Sequence, residues 1–248
     1  MSISEGIVDI SQYKYKIEGH AHTSPVSPCG KRTPTETIEA YASVGYDAVV
    51  ITNHFIPTLH PLSRSEFVRF FEADYLEARE VGERLGVKVL FAMELRFCKI
   101  PGDCNDYLYY GVDPSEGEDI YGYYERGLEE FYREYRLHHP RSLLIQAHPF
   151  RKNITLADLN YIDGIETFNM HPNHNSRIGF AAAYAREHDL IVTAGTDFHH
   201  EGHHGLCAVR TRTLPRDSFE YAEILRSRDY LFEISGNIIL PYGYRAYE

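Results

Sequence analysis

The apolar residues of this 248-residue chain alternate between two spacings. Short consecutive runs, the longest at residues 48–52 and 87–93, have the length and make-up of buried strands. Between them, apolar residues recur every three or four positions, as on a helix with one buried face. The runs predict strands at 17–20, 47–52, 87–93, 107–112, 142–147, 164–168, 190–194 and 230–234. Two helices announce themselves by capping boxes: Thr33-Pro34-Thr35-Glu36, with proline where its missing N–H costs nothing, and Ser63-Arg64-Ser65-Glu66. The first box leads into Ile38, Tyr41 and Ala42 on one face and stops at Gly45. The second opens a long helix carrying Phe67, Phe70, Phe71, Tyr75, Ala78, Val81 and Leu85. Further helices are expected over 124–135, 178–185 and 218–226, with 113–122 as a loop.

Strands that alternate with helices, and that are apolar throughout rather than at every second residue, predict parallel pairing with helices outside. Seven or so such units fit an α/β architecture of the (β/α) barrel type better than an open sheet. No Pro/Gly/Ser-rich linker interrupts them, so residues 1–248 read as one domain.

The polar residues at the strand ends carry the chemistry. The first strand ends in Gly19-His20-Ala21-His22, the next in Thr52-Asn53-His54, and the third in Met93-Glu94. Later strands end in Ala147-His148-Pro149, Asn169-Met170-His171 and Gly195-Thr196-Asp197-Phe198-His199. In a parallel barrel these ends converge on one face, where catalytic groups collect. Taken singly, each has an ordinary explanation: alternate strand residues share a face by geometry, and His148 reads as a core histidine bonded to backbone. Together they place at least five imidazoles and two carboxylates in one bowl. Imidazole with carboxylate suits zinc, manganese or iron, and the donors exceed the four that one tetrahedral ion accepts. More than one divalent ion is therefore expected, arranged as in centres that hydrolyse phosphoryl or acyl groups.

Composition narrows the alternatives. Apolar residues make up 43% of the chain and charged residues 25%, enough for a sizeable core. Lysine and arginine number 25 against 36 aspartates and glutamates, a formal charge of −11 that opposes nucleic acid and anionic membranes as partners. Residues 1–16 contain no apolar signal region, and no run approaches the ~18 apolar residues of a membrane span. Four cysteines with neither a CxxC pair nor a dense framework suit a reducing cytoplasm. No GxGxxG or GxxxxGK[ST] nucleotide cradle occurs.

His20-Ala21-His22-Thr23, Ile51-Thr52-Asn53-His54, Glu94 at its strand end, Ala147-His148-Pro149 and Gly195-Thr196-Asp197-Phe198-His199 resemble, in order, the motifs of the PHP (polymerase and histidinol phosphatase) superfamily. The resemblance implies a distorted seven-stranded (β/α) barrel, a trinuclear metal centre and phosphoesterase activity. By matched position, His20, His22, Glu94 and Asp197 would hold a first ion, Glu94 and His148 a second, and His54 and His199 a third. Two positions depart from the family pattern. Ser27-Pro28-Cys29-Gly30 stands where the family has Ser-Asp-Gly or a histidine, so Cys29 is the replacement ligand or a small apolar residue. Asn105-Asp106-Tyr107-Leu108 stands where the family has a histidine, which makes Asp106 its substitute.

The expected reaction is hydrolysis of a small phosphorylated metabolite through a metal-bridging hydroxide that Asp197 both ligates and orients. Arg151 is the candidate phosphate clamp, with Lys31, Arg32 and Arg177 as further candidates, and each also reads as a solvated surface cation. His171 is the candidate proton donor to the leaving group, or an ordinary turn residue before Pro172. Two other functions stay open: a protein tyrosine phosphatase of the same superfamily, and a non-catalytic or regulatory metal-binding domain. The sequence leaves the oligomeric state undetermined.

Overall fold

Both capping boxes form as their residues predict. In the computed structural model, which describes residues 8–100 and 103–242, the Glu36 N–H donates to Thr33 Oγ1 at 3.2 Å and the Glu36 carboxylate accepts the Thr33 N–H at 2.9 Å. The same reciprocal pair links Ser63 and Glu66. The first half of the chain contains β1 (Tyr15–Ala21), α1 (Pro34–Ser43), β2 (Ala48–Ile51), β3 (His54–Phe55), α2 (Arg64–Leu85), β4 (Lys88–Phe91), β5 (Met93–Ile100) and β6 (Asp103–Tyr110). Then come α3 (Gly117–Tyr121), α4 (Leu128–Glu130), β7 (Leu143–Gln146), β8 (Gly164–Asn169), α5 (Ile178–Glu187) and β9 (Ile191–Gly195). The chain ends with β10 (Cys207–Thr211), α6 (Ser218–Ser227), β11 (Leu231–Ile234) and β12 (Asn237–Ile239).

The strands form two six-stranded sheets, ordered β12-β11-β10-β1-β2-β4 and β3-β5-β6-β7-β8-β9, rather than one ring of parallel strands. Parallel pairing holds for β1/β2, β2/β4, β3/β5, β7/β8 and β8/β9. It fails at β5/β6, β6/β7, β1/β10, β10/β11 and β11/β12, all antiparallel. The reason at β5/β6 is the short connection, since a parallel partner needs a crossover of a dozen or more residues. The two sheets share one apolar core that includes Ile17, Val50, Leu90, Leu108, Leu144, Ile165, Val192 and Phe232. They also touch at the site end: the His22 N–H donates to the Phe198 carbonyl at 3.0 Å, and the Phe198 N–H to the His20 carbonyl at 3.1 Å.

Three other expectations change. Residues 113–122, expected as a loop, carry a 3-10 turn (Pro114–Glu116) and α3. The helix expected over 124–135 shrinks to α4 and continues as a π-helical turn (Phe131–Tyr135) and a 3-10 turn (Arg136–His138). Gly127, at φ 96°, cuts it at its start, and burial of Phe131 and Tyr135 against Tyr109 and Tyr123 sets the rest. Cys98 and Cys104 sit at opposed positions of the β5/β6 ladder and are joined by a disulfide, so the cysteines do not all stay as isolated thiols. No helix among the described residues is long and apolar enough to cross a membrane.

Gly195, the last residue of β9, shows how tightly this end is packed. A Cβ there would land on the Cβ of His20 and crowd a Glu18 carboxylate oxygen. Gly195→Ala is expected to cost about 1–3 kcal/mol, the usual penalty of an overfilled core, in chemical denaturation. A variant within ~0.5 kcal/mol of the parent would show that β1 and β9 have room to part.

Candidate metal centre

Period-two geometry puts His20 of β1 and His22, the residue just past its end, on one face, both fully buried. Their Nε2 atoms face each other 3.0 Å apart. Glu94, at the start of β5, reaches four imidazoles. Its Oε1 lies 3.4 Å from His20 Nε2 and 3.4 Å from His148 Nε2, and its Oε2 lies 3.3 Å from His22 Nε2 and 2.5 Å from His54 Nδ1. Asp197 Oδ1 lies 3.5 Å from His20 Nε2 and 3.3 Å from His22 Nε2. His199 Nε2 is 3.1 Å from Cys29 Sγ. Ligand atoms fall within 4.8 Å of one another in three groups: His20, His22 and Asp197; His22, His54 and His199; Glu94, Asp106 and His148. His148 and Asp197 hold left-handed backbone, φ 32° and 54°, a local strain that concentrates at functional sites.

The hydrogen bonds around the imidazoles fix where their protons sit. His20 Nδ1 lies 2.9 Å from Glu166 Oε1, an acceptor only, so Nδ1 carries hydrogen and Nε2 is left to accept. His22 is fixed through a chain of partners. The Thr23 N–H donates to Asn53 Oδ1 at 2.7 Å, which orients the Asn53 amide, and Asn53 Nδ2 donates to Asp74 at 2.7 Å. Ser27 Oγ donates to the same Asn53 Oδ1 at 2.8 Å. It can then only accept from His22 Nδ1, 3.1 Å away. His199 Nδ1 donates to the Asp197 carbonyl at 2.7 Å. With the Nδ1 hydrogens so placed, the Nε2 atoms of His20, His22 and His199 face the cluster, and among the described residues neither carboxylate oxygen of Glu94 has a partner in full hydrogen-bond geometry. The two Nε2 atoms of His20 and His22, 3.0 Å apart, repel unless a proton or a cation lies between them. The donors thus fit divalent ions.

The titration of these groups tells the same story. Burial alone would lower His20, but the Glu166, Asp197 and Glu94 carboxylates raise it well above the ordinary histidine range. Burial likewise opposes His54, yet Glu94 and Cys29 lift it to about 10. Burial pushes the Glu94 carboxyl up, and His54 and His20 pull it well below the usual range. Burial also raises the Cys29 thiol, but bonds to His199 and His54 bring it down to about 6, toward the thiolate that binds metal. Ion-free, the cluster gathers protons where cations would otherwise neutralise it.

The remaining expected residues divide. Arg151 reaches the centre: its Nη2 donates to Asp197 Oδ2 at 2.5 Å and to Asn169, and its Nε to Ser176 at 3.2 Å. Arg177 and His171 line the same cavity. His171 is not set up as an acid. Burial pushes it down to about 3, and its Nδ1 accepts the Asn173 N–H at 3.2 Å, which leaves a neutral ring with hydrogen on Nε2. Arg32 lies outside the cavity lining and pairs with Glu36 and Glu201, while Lys31 Nζ points to the Pro28 carbonyl. Asp106 reaches Glu94 and His148, but both its oxygens are taken by Arg96, Nε at 2.6 Å and Nη2 at 2.9 Å.

Sequence reasoning missed the supporting residues. Glu166 accepts His20 Nδ1, the His148 N–H at 3.0 Å and Asn169 Nδ2 at 2.9 Å. Glu18 accepts the N–H groups of His20 (2.9 Å) and Thr196 (2.8 Å) and the Tyr41 hydroxyl (2.8 Å). The signal was present: each is a carboxylate inside an apolar strand, where an unpaired charge is too costly to be incidental.

The sequence matches the PHP domain family over residues 18–237. No curated protein matches it. Among solved structures, it resembles a candidate metal-dependent phosphoesterase from Bifidobacterium adolescentis, 17% identical, TM-score 0.51, covering 76% of this chain and 89% of that one. A two-domain protein from Bacteroides vulgatus, containing a predicted PHP-like metal-dependent phosphoesterase, is 17% identical with TM-score 0.59, covering 90% of this chain and 66% of the other. An amidohydrolase from Chromobacterium violaceum, with bound sulfate and no metal, is 15% identical with TM-score 0.53, covering 91% and 98%. At these identities the likeness is one of fold.

Two outcomes follow from the supports. Glu166→Gln places an amide N–H against donors, so divalent-ion affinity is expected to fall about 10–100-fold in a chelator competition. Unchanged affinity would remove Glu166 from the site. Burial raises Asp74 from 3.8 to about 6 in spite of bonds from Thr23 and Asn53. Because its folded pKa lies above its unfolded one, its contribution is full below about pH 4 and is lost as pH rises through about 6. Asp74→Asn keeps one oxygen for both donors and removes the charge. Relative to the parent, the variant should be matched near pH 4 and more stable by on the order of 1–3 kcal/mol at pH 7. A constant difference across that range would refute the assignment.

Proposed function

The chain belongs to the PHP domain family, and from that premise we propose that it is a metal-dependent phosphoesterase that hydrolyses a small phosphorylated metabolite. The observation that carries the reading is the set of buried acceptor atoms turned toward one another: Nε2 of His20, His22 and His199 and both oxygens of Glu94. His20, His22, Glu94 and Asp197 would hold one ion, with His54, His199 and Cys29 around another. When bound, the ions supply Lewis acidity toward water and phosphoryl oxygens.

The chain's own residues do the rest. A cavity of about 690 Å³ opens over the centre, lined by Arg96, Arg151, Lys152 and Arg177 together with Cys29, His54, His148, His171, Asp197 and His199. Its size suits a small molecule rather than a protein face, which favours a metabolite over a phosphotyrosine protein. Four cations in its lining favour a phosphate over a neutral amide. Arg151 spends Nε and Nη2 on Ser176, Asn169 and Asp197, which leaves Nη1 for the substrate and locks Asp197 in place. His171 presents its Nε2–H as a neutral donor. The proton for the leaving group then comes from solvent or from water that the cavity admits.

Purified protein loaded with manganese, zinc or iron should hydrolyse members of a phosphomonoester panel. His20→Ala and Asp197→Asn should each lower the rate at least 10³-fold while circular dichroism stays unchanged. No hydrolysis of any panel member with any of the three metals, or full activity in either variant, would sink the reading.

A further inference from the structure

The third ligand group differs from the other two in holding a cation of its own. Glu94 and Arg96 are two residues apart on β5 and so share a face, and the antiparallel ladder sets Arg96 directly opposite Asp106 of β6. The register therefore delivers a guanidinium beside Glu94, with Asp106 gripped side-on at 2.6 and 2.9 Å. Asp197 also meets an arginine, but with one oxygen only: Arg151 takes Oδ2, and Oδ1 remains turned to His20 and His22. Asp106 keeps no such oxygen free of Arg96. A divalent ion among Glu94, Asp106 and His148 would have to sit against a fixed positive charge and compete with a bidentate pair.

We propose that Arg96 is the resident cation of the Glu94–Asp106–His148 group, so that this chain loads two divalent ions where the family pattern would place three. The third positive charge is then a permanent one. Arg96 lines the cavity with its Nη1 group unspent, and it meets a phosphate oxygen where an ion would otherwise do so. The inference rests on the metal-dependent reading above and sharpens its ion count.

The test is stoichiometry rather than turnover. Chelator-stripped protein is dialysed against excess manganese, freed of unbound metal, and counted for ions per chain by mass spectrometry. Crystals soaked in manganese are read for anomalous peaks. The parent should hold two ions, and Arg96→Met should gain a third, with a new peak among Glu94, Asp106 and His148. Three ions in the parent would overturn the inference and leave the phosphoesterase reading standing, whereas none would overturn both. A folded Arg96→Met protein that stays at two would also overturn it. If that variant does not fold, Asp106→Asn decides: the count should remain two, and a drop to one would make Asp106 a ligand and refute the proposal.

Discussion

Three carboxylates buried together set the terms for this fold. Glu94, Glu166 and Asp197 are each at most 2% exposed and share neighbours, an arrangement that would cost many kcal/mol if left uncompensated. The structure answers each differently. Glu166 is satisfied by protein donors: an imidazole, a backbone N–H and an asparagine amide. Asp197 is held half by protein, through Arg151 and Asn169, and half by the histidines. Among the described residues Glu94 has no partner in full hydrogen-bond geometry, and it faces the imidazoles of His20, His22, His54 and His148. That gradation separates support from ligand. A carboxylate whose bonds are complete orients its neighbours, whereas one left open beside lone pairs draws in protons or ions.

The supporting shell must then hold imidazoles against their own repulsion. Glu18 ties the backbone before His20 to the backbone before Asp197, so β1 and β9 present their ligands in fixed relation. The Asp74–Asn53–Ser27 chain does the same for His22 from the opposite side. Left-handed backbone at His148 and Asp197 is local strain that this packing over-determines. Rigid placement also keeps the ligand atoms converged when no ion is bound, which lowers the reorganisation that binding requires.

Much of this was legible in the chain. Apolar runs located the parallel strands, capping boxes located α1 and α2, and polar residues just past the runs located His20, His22, His54, Glu94, His148, Asp197 and His199. These features are local, so periodicity reports them. The hairpin of β5 and β6 was not legible as such, because 87–93 reads as one strand and the chain reversal depends on pairing with β7. Nor were β10, which follows a histidine-rich loop, and β12, which is three residues long. Charge partners were invisible for the same reason: Arg32 and Arg151 look alike in sequence, and only the fold gives one Glu36 and Glu201 and the other Asp197.

The place where the alternation of strands and helices breaks is also where the site acquires its individual character. A helix after β5 would have carried the chain away from the bowl. The hairpin instead brings a second strand back across it, and antiparallel register converts a sequence spacing into the Arg96–Asp106 pair. The same logic reconciles an acidic protein with the anionic substrate proposed for it. The formal −11 describes the whole chain, whose exposed charges are screened within about a Debye length, ~8–10 Å. Within the cavity, Arg96, Arg151, Lys152 and Arg177 line the space that an entering phosphate would occupy. Local placement, rather than net charge, decides which ligand the site attracts.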